Sequence, residues 1–171
     1  MHSPHYPIFA REGRVHLLIV LVLAIIATWG IGWWSLPVWL LVLFVIQFFR
    51  DPPRNISEVH GDVVSPASGK VVFIGEVENP YLEGSPKMRK ISIFMNVFSV
   101  HSNLIPVTGV IRGSDYRSGR FFNAALDKAS SENERNAIWI ETREGDDVVC
   151  VQIAGLIARR ILCYVRRGDH V

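Results

Sequence analysis

The sequence is poor in cysteine and lacks clustered metal ligands. Its two cysteines, Cys150 and Cys163, stand in apolar surroundings, without CxxC spacing and without a neighbouring histidine pair. We therefore expect both to be buried, reduced thiols, because disulfide frameworks and metal sites use more regular spacings. The six histidines are scattered along the chain. They form no metal-ligand pattern, so the sequence predicts no metal site.

The chain also lacks an excess of charge of either sign. It has 18 basic and 16 acidic side chains in 171 residues, which gives a formal net charge of +2, and it has no long Lys/Arg block. Nucleic-acid binding depends on a basic patch or stripe, so we expect no nucleic-acid partner. The length allows one modest domain and an anchor.

Formally charged side chains are missing altogether between Val15 and Phe49. This run is longer than the ~20 residues that one membrane span needs. Gly30, Gly32 and Pro37 interrupt it, and each of these residues weakens or breaks a helix. A secretory signal peptide has a shorter apolar core and a small-residue cleavage site, so this interpretation does not fit.

We predict two short helices, over residues 15–30 and 37–49, that form a membrane hairpin. Basic residues stand before the first helix and after the second: Arg11, Arg14, Arg50 and Arg54. By the positive-inside rule, both ends then lie in the cytoplasm, and the rest of the chain faces the cytoplasm at the cell membrane. A shallow re-entrant hairpin fits nearly as well as a full double span. A single long tilted span would instead place residues 55–171 outside the cytoplasm.

The sequence beyond the hairpin changes in composition and predicts a β-rich domain. Asp51-Pro52-Pro53 stops any helix and starts an extended linker. Alternating apolar runs bounded by turn residues predict strands over 71–77, 90–98, 107–113, 137–143, 148–155 and 158–168. The segment EGDD at 144–147 is a hairpin signal, and residues 123–136 have helical or irregular character.

The predicted fold class is therefore mainly β: a small β-barrel or sandwich-like domain behind a helical membrane hairpin. The predicted organisation has four parts: a cytoplasmic N-terminus over 1–14, the hairpin over 15–50, a linker over 51–61 and the β-rich domain over 62–171. An edge-rich β domain also favours pairing into a homodimer.

His101 is the candidate that local sequence offers for acid–base chemistry. It follows an alternating strand and precedes Pro106, and its pKa lies near neutrality. The competing interpretation is a solvated loop histidine. A charged segment contains Asp127, Lys128, Glu132, Glu134 and Arg135, and such runs are usually solvated faces. The Gly-Ser pairs at 84–85 and 113–114 match neither a nucleophile elbow nor a Walker pattern.

Several strings, in order along nearly the whole chain, resemble the short phosphatidylserine decarboxylases, a family with relatives that act on archaetidylserine. They are IFAREG, FFRDPPR, VVSPASGKVV, FMNVFSVHSNLIPVTG, FFNAALDKASSENERN and RRGDHV. The resemblance implies phospholipid biosynthesis, in which phosphatidylserine or archaetidylserine in the bilayer loses its carboxyl group. It also implies a proenzyme that cuts itself at a Gly-Ser bond, releases a small α chain and makes its own covalent pyruvoyl cofactor. That cofactor forms a Schiff base with the serine amine.

The resemblance also implies roles for four residues. His101 matches the family's pocket histidine, and we expect it to transfer a proton at the decarboxylating carbon or to bind the carboxylate. Ser68 stands where the family has an aspartate that orients a base for self-cleavage. Asn103 and Lys70 are expected to line the substrate pocket.

Two departures from the family pattern matter. Ser68 carries no charge and is no base near pH 7, which puts self-cleavage in doubt. The pyruvoyl-forming serine is not present, because no Gly-Ser site follows before Val171. We therefore expect the chain as written to be incomplete and inactive alone. The alternatives are a non-catalytic, membrane-anchored β module of the lipoyl or adaptor type, and a relative that binds serine phospholipids without reacting.

Overall fold

The computed structural model describes residues 8–54, 61–78, 81, 87–124 and 129–171. The described chain forms two compact units. The hairpin unit comprises Met1–Ile56 and Met95–Asn103, and the sheet unit comprises Ser57–Phe94 and Leu104–Val171. The fold class is mainly β with an N-terminal helical hairpin, as predicted. The predicted domain boundaries stay predictions.

The hairpin unit is built on two apolar helices, α1 (Gly13–Ile31) and α2 (Leu36–Phe48), joined by a 3₁₀ turn at Gly32–Ser35. The predicted helices agree with these bounds to within two residues. Gly32 makes the turn, because its φ of 56° is a conformation that favours glycine. The helical segment Gly13–Phe48 is long and apolar enough to cross a membrane.

Polar groups at the hairpin turn are satisfied inside the unit. Ser35 is 4% exposed, and its hydroxyl donates to the carbonyl of Gly32 at 2.7 Å. The Thr28 hydroxyl donates to the carbonyl of Ala24 at 2.8 Å and accepts from the Trp39 indole N–H at 3.0 Å. The turn therefore needs no water for these groups.

Backbone pairing closes the base of the hairpin. The N–H of Ala10 donates to the carbonyl of Phe49 at 2.8 Å, and the N–H of Asp51 donates to the carbonyl of Ile8 at 2.7 Å. A Cβ at Gly13 would lie 2.4 Å from the Phe49 ring. Glycine at this position therefore lets the two ends of the hairpin lie in direct contact.

The sheet unit contains two antiparallel sheets. β1 (Lys70–Val77) pairs with β2 (Met88–Phe94), and β3 (Gly109–Arg117), β4 (Arg135–Thr142) and β5 (Asp147–Ile153) form the second sheet in that order. The predicted turn at 144–147 joins β4 to β5, with Gly145 at φ 90°. The four-residue helix α3 (Ala129–Glu132) lies between β3 and β4.

The core of the sheet unit lies on the three-stranded sheet. Val107, Ile111, Ile138 and Ile140 form a buried cluster. Ile140 is completely buried, because β4 is the central strand and has a neighbour on each side. The β1–β2 sheet differs, since Val72, Phe73, Ile74 and Ile91 are exposed.

Three strand predictions are wrong in extent or in existence. The strand predicted over 107–113 begins at Gly109 and continues to Arg117, because β4 offers a partner along that whole length. The strand predicted over 90–98 ends at Phe94, because the Asn96 side chain starts a turn there. The strand predicted over 158–168 does not form. Its alternating pattern finds no strand partner among the described residues, and only Gly168–Val171 pairs with β3, through backbone bonds to Gly109 and Ile111.

Candidate functional site

His101 lies in the segment Met95–Asn103, which a side-chain turn shapes and which we call the His101 segment. The Asn96 carboxamide oxygen accepts from the N–H of Phe98 at 2.9 Å, and the N–H of Ser99 donates to the carbonyl of Asn96 at 3.0 Å. Asparagine favours such turns because its short side chain bonds the backbone two residues on. The turn redirects the chain out of β2.

Residues at the end of α2 donate hydrogen bonds to one carbonyl group of this turn. The Phe98 carbonyl oxygen accepts from the Gln47 side-chain amide at 3.1 Å and from the Arg50 guanidinium at 2.9 Å. Arg50 also donates to the carbonyl of Gln47 at 3.1 Å. A guanidinium presents several donors in a fixed fork, so Arg50 joins the helix end to the segment.

The residues just after α2 bind the segment at a second point. The Ser102 hydroxyl donates to the Asp51 carboxylate. Arg54 donates to the Ser102 carbonyl oxygen and lies 3.1 Å from the Ser102 hydroxyl oxygen. Asp51 and Arg54 are themselves 3.8 Å apart. The segment is thereby fixed on both sides of His101.

The His101 ring stacks on Phe48, the last residue of α2, with ring centroids 4.3 Å apart and planes at 29°. Burial lowers the pKa of His101 below its usual value of 6.5; the backbone of Ser99 acts in the opposite direction, and the positive charge of Arg50 lowers it further. The ring is therefore neutral at pH 7.

The Nδ1 atom of His101 is buried and has no hydrogen-bond partner among the residues that the structure describes. Buried polar atoms are nearly always bonded, so an unpaired one needs an explanation such as a catalytic role. A neutral imidazole with a free ring nitrogen can accept a proton from a bound molecule or donate a hydrogen bond to it.

The other three predicted site residues have different surroundings. Asn103 shares the hairpin unit with His101, and its side-chain nitrogen lies 3.7 Å from the Met95 sulfur. Ser68 is exposed in the turn before β1, and Lys70 is the exposed first residue of β1. Ser68 and Lys70 belong to the sheet unit. Their predicted roles stay predictions.

The turn that carries Ser68 is well defined within the sheet unit. The Ser65 hydroxyl donates to the carbonyl of Ala67 at 2.8 Å, and the N–H of Leu104 donates to the carbonyl of Pro66 at 2.8 Å. A Cβ at Gly69 would lie 2.3 Å from the carbonyl oxygen of Phe94. Glycine is therefore needed next to Ser68 for β1 to pair with β2.

The described residues of the charged segment 123–136 make most of their contacts at the surface, whereas Asn133 is buried. Glu132 lies 3.9 Å from Arg120, the Glu134 side chain bonds Tyr116, and Arg135 donates to the carbonyl of Ser131 at 2.7 Å. Asp127, Lys128 and the Gly-Ser pair at 84–85 lie outside the described residues. The pair at 113–114 lies within β3.

Asn133, inside that segment, escaped the sequence analysis. It is 2% exposed and accepts from the N–H of Phe122 at 2.8 Å, while its amide donates to the carbonyls of Phe122 and Ala154. A buried asparagine among charged residues gives no periodic signal.

Both cysteines are free thiols, as predicted, but their predicted burial is wrong for Cys163, which is exposed. Its neighbourhood is not a strand, so no sheet covers it. Cys150 lies half-buried in β5, and burial raises the pKa of its thiol to about 11, with Cys163 adding to the shift. Cys150 is therefore a protonated, unreactive thiol near pH 7. The described residues contain no cluster of three or more His, Cys, Asp or Glu side chains arranged to hold a metal.

Local sequence patterns did not indicate that Asp51, Arg54 and Gln47 contact the His101 segment. Asp51 and Arg54 stand in the string FFRDPPR, where the prolines indicated only a linker. Their partners lie 48 and 51 positions away, beyond the reach of local patterns. The one available signal was the charge of two residues that an extended linker does not need.

Comparison with known proteins gives a consistent result. The sequence model of the family described as phosphatidylserine decarboxylase matches residues 41–171. A phosphatidylserine decarboxylase proenzyme of Nitrosomonas eutropha is 55% identical over 171 residues, which are 99% of this chain and 78% of that protein. A proenzyme of the same name from Aromatoleum aromaticum is 57% identical, over 96% of this chain and 76% of that protein. One from Burkholderia pseudomallei is 50% identical, over 99% and 77%.

Proposed function

The chain belongs to the phosphatidylserine decarboxylase family, and on this premise we propose that it serves phospholipid biosynthesis by decarboxylating a serine phospholipid to the ethanolamine phospholipid. The observation that carries the proposal, beside the family match, is the buried Nδ1 atom of His101, for which the described residues provide no hydrogen-bond partner. The relatives are named proenzymes, which supports self-cleavage into two chains.

A pyruvoyl group fits the residues described. When bound, such a group supplies an electron sink for the carbon that loses carbon dioxide. The Nδ1 atom of His101, which is without a partner in the described part of the chain, could donate a hydrogen bond to a carbonyl or carboxylate oxygen, and a pyruvoyl group and a serine headgroup would supply such oxygens. The roles proposed for the other three residues are those that the family resemblance implies: Asn103 and Lys70 at the substrate pocket, and Ser68 at the position that orients a base for self-cleavage.

His101 is suited to moving a proton at the reacting carbon. Its lowered pKa keeps the ring neutral at pH 7, so it can accept a proton and return it. Stacking on Phe48 and the fixed backbone on both sides limit its motion. A base held in one position contributes more than one that must be oriented at each turnover.

The position of His101 at the end of the hairpin suits a lipid substrate. A two-chain lipid does not leave the bilayer cheaply, since each buried CH₂ contributes ~0.8 kcal/mol. Phe48, Arg50 and His101 lie together where the apolar helix ends and charged residues begin. That boundary is where a phospholipid headgroup is found.

We propose further that the hairpin crosses the whole bilayer, with both ends in the cytoplasm. α1 has 19 residues, and the 3₁₀ turn plus α2 has 4 and 13. At ~1.5 Å per α-helical residue and ~2 Å per 3₁₀ residue, both arms are about 28 Å long. A hydrocarbon core is ~30 Å thick. The arms therefore match it.

The tip of the hairpin has the composition of a membrane interface. Trp29, Trp33 and Trp34 are 90%, 93% and 84% exposed there. Tryptophan prefers the headgroup level, where the ring is half in lipid and its N–H finds a polar partner. The arginines at the base, Arg11, Arg14, Arg50 and Arg54, favour the cytoplasmic side.

Cysteine labelling in intact spheroplasts tests this topology. A membrane-impermeant maleimide added outside should label Trp33→Cys and should not label Val15→Cys, which is also exposed but lies at the base. Cys163, which is exposed, serves as the internal cytoplasmic control. Labelling of neither introduced cysteine would indicate a re-entrant hairpin. Labelling of Val15→Cys would indicate the opposite orientation, with the base of the hairpin outside.

A second candidate function rests on Ser68. A serine hydroxyl in an exposed turn cannot act as the charged partner of a base, which favours a relative that binds serine phospholipids without turnover. This candidate predicts lipid binding with no self-cleavage and no carbon dioxide.

One experiment decides between the two candidates. The natural full-length protein, expressed in a membrane fraction, should split on a denaturing gel, carry a carbonyl that reacts with hydroxylamine, and release carbon dioxide from carboxyl-labelled phosphatidylserine. His101→Ala should abolish the release, whereas His16→Ala should not, although His16 also stacks on a phenylalanine at the hairpin base. An intact protein that binds vesicles of phosphatidylserine but releases nothing would establish the second candidate.

A further inference from the structure

We propose that Asp51 and Arg54 are positioning residues for His101, so that the end of the membrane hairpin builds the reactive site as well as anchoring the chain. The proposal rests on the role of His101 proposed above. It assigns a function to residues that sequence patterns indicated only as a linker.

The first observation is the double hold on Ser102, the residue after His101. Asp51 accepts from the Ser102 hydroxyl, and Arg54 donates to the Ser102 carbonyl. The side chains of Arg54 and Asp51 are only 17% and 22% exposed. Hydrogen bonds to charged groups withdrawn from water are stronger than neutral ones, and losing one partner leaves the other charge without compensation.

The second observation is the hold on Phe98, three residues before His101. Gln47 and Arg50 both donate to its carbonyl oxygen. Residues 98 and 102 are therefore tied to the same short stretch, 47–54, from both sides of the histidine. Phe48, in that stretch, supplies the surface on which the His101 ring lies.

A linker alone does not need this arrangement. The exposed pair Asp115 and Arg117 in β3 shows what an ordinary surface pair looks like: the two side chains bond each other at 2.7 Å and are 45% and 47% exposed. Asp51 and Arg54 instead converge on one serine beside His101, at a longer mutual distance of 3.8 Å. Their geometry is directed at the segment and not at each other.

The first test uses the chain itself and needs no activity. The pKa of His101 is read by NMR of ¹³C-histidine-labelled protein in detergent micelles. In Asp51→Asn and Ser102→Ala the segment loosens and the ring gains water, so the pKa of His101 should rise towards its usual value. Asp115→Asn, the matched control, should leave it unchanged. Ser102→Thr keeps the hydroxyl and should keep the parental pKa.

The second test measures turnover by the natural full-length protein with a short-chain phosphatidylserine that is soluble as a monomer. A soluble substrate removes any effect of tethering. Misplacing a catalytic group by about 1 Å can lower a rate by roughly a hundredfold. Asp51→Asn and Ser102→Ala should therefore lower kcat by about ten- to a hundredfold with little change in KM, and Ser102→Thr should restore it.

The outcomes separate this proposal from the proposed function. An unchanged pKa of His101 together with unchanged kcat in both variants overturns the positioning role. A shifted pKa, in a protein whose His101→Ala variant turns over at the parental rate, supports the positioning contacts and removes the catalytic role of His101 instead.

Discussion

The two units of this chain are built in opposite senses. In the hairpin unit most large apolar side chains lie outside, and Leu18, Ile26 and Leu43 are each 61% exposed. The buried positions are held by the smaller residues Ala24, Ser35, Val42, Val45 and Val100. In the sheet unit Ile111 and Ile140 are buried, and ion pairs such as Arg112–Glu141 lie on the surface. Lipid is the better solvent for the first surface and water for the second, so each unit is arranged for its own solvent.

The difference teaches where stability originates. The sheet unit gains it by removing apolar surface from water, at ~25 cal/mol per Å². Within lipid this gain is absent between helices, so the hairpin depends on close approach at Gly13 and on hydrogen bonds at its turn. Substitutions of the same chemical kind should therefore have different effects in the two units.

The largest expected effect is that of Ile140→Ala. It removes a fully buried side chain from the central strand, and the free energy of unfolding should fall by about 2–5 kcal/mol. Denaturant unfolding of the whole chain in micelles, followed by amide exchange in β4, measures it. Leu18→Ala, at an exposed position of α1, should leave that value unchanged. A similar loss in both variants would contradict the opposite arrangement of the units.

Gly69→Ala should have the next largest effect. The new Cβ would lie 2.3 Å from the Phe94 carbonyl oxygen, so β1 and β2 must separate at that end, at a cost of about 1–3 kcal/mol. Gly113→Ala is the matched control, because nothing lies within 4 Å of its Cβ position. Amide protection of β2 reports the difference, and equal protection in both variants would show that the turn before β1 tolerates a side chain.

Thr28→Val tests the hydrogen bonds of the hairpin turn. It removes the acceptor of the Trp39 indole and the contact with Ser35, and interhelical bonds of this kind contribute on average ~0.6 kcal/mol in membranes. Reversible unfolding of the hairpin in mixed micelles, followed by its helical circular dichroism, should detect the loss. Thr108→Val, at an exposed position of the sheet unit, should not affect the hairpin. A hairpin of unchanged stability would indicate that packing alone holds the turn.

The smallest expected effect is a pH dependence confined to the hairpin unit. Because the pKa of His101 is lower in the fold than its usual 6.5, the folded segment binds fewer protons than the unfolded one in this window. Local stability of the His101 segment should therefore be constant above pH 6.5 and decrease as pH falls below it. Amide protection at 98–102, corrected for intrinsic exchange rates, measures this, and His101→Gln should abolish the slope. A slope of opposite sign would mean that the ring is charged in the fold.

Much of the fold could be predicted because its signals are local. Absent charge between Val15 and Phe49 predicted the helices, and a Gly-containing acidic turn predicted the β4–β5 connection. The strand over 158–168 was wrong because alternation indicates a suitable strand but not an available partner. The end of β2 was misplaced because one side chain, Asn96, bonds the backbone in competition with the sheet.

In the candidate site, too, some features have a local sequence signal and others depend on the fold. His101 was indicated by its local sequence and by its resemblance to a family motif, and its neutral state follows from burial that only the fold supplies. The contacts of Asp51 and Arg54 with Ser102 join residues about fifty positions apart, and no periodicity reports such pairs. Ser68 was noticed as a departure from the family pattern. It is exposed in the turn before β1, so no packing constraint explains why serine stands there.

The equal length of the two hairpin arms has a consequence for the lipids around it. A hairpin with arms of about 28 Å suits a bilayer of one thickness, and longer or shorter acyl chains make it tilt or make the membrane deform. Because the His101 segment is bonded to the base of the hairpin, any tilt carries the histidine with it. For the proposed bilayer-spanning hairpin, acyl-chain length thus becomes a physical variable that would set the depth of this histidine relative to the headgroups.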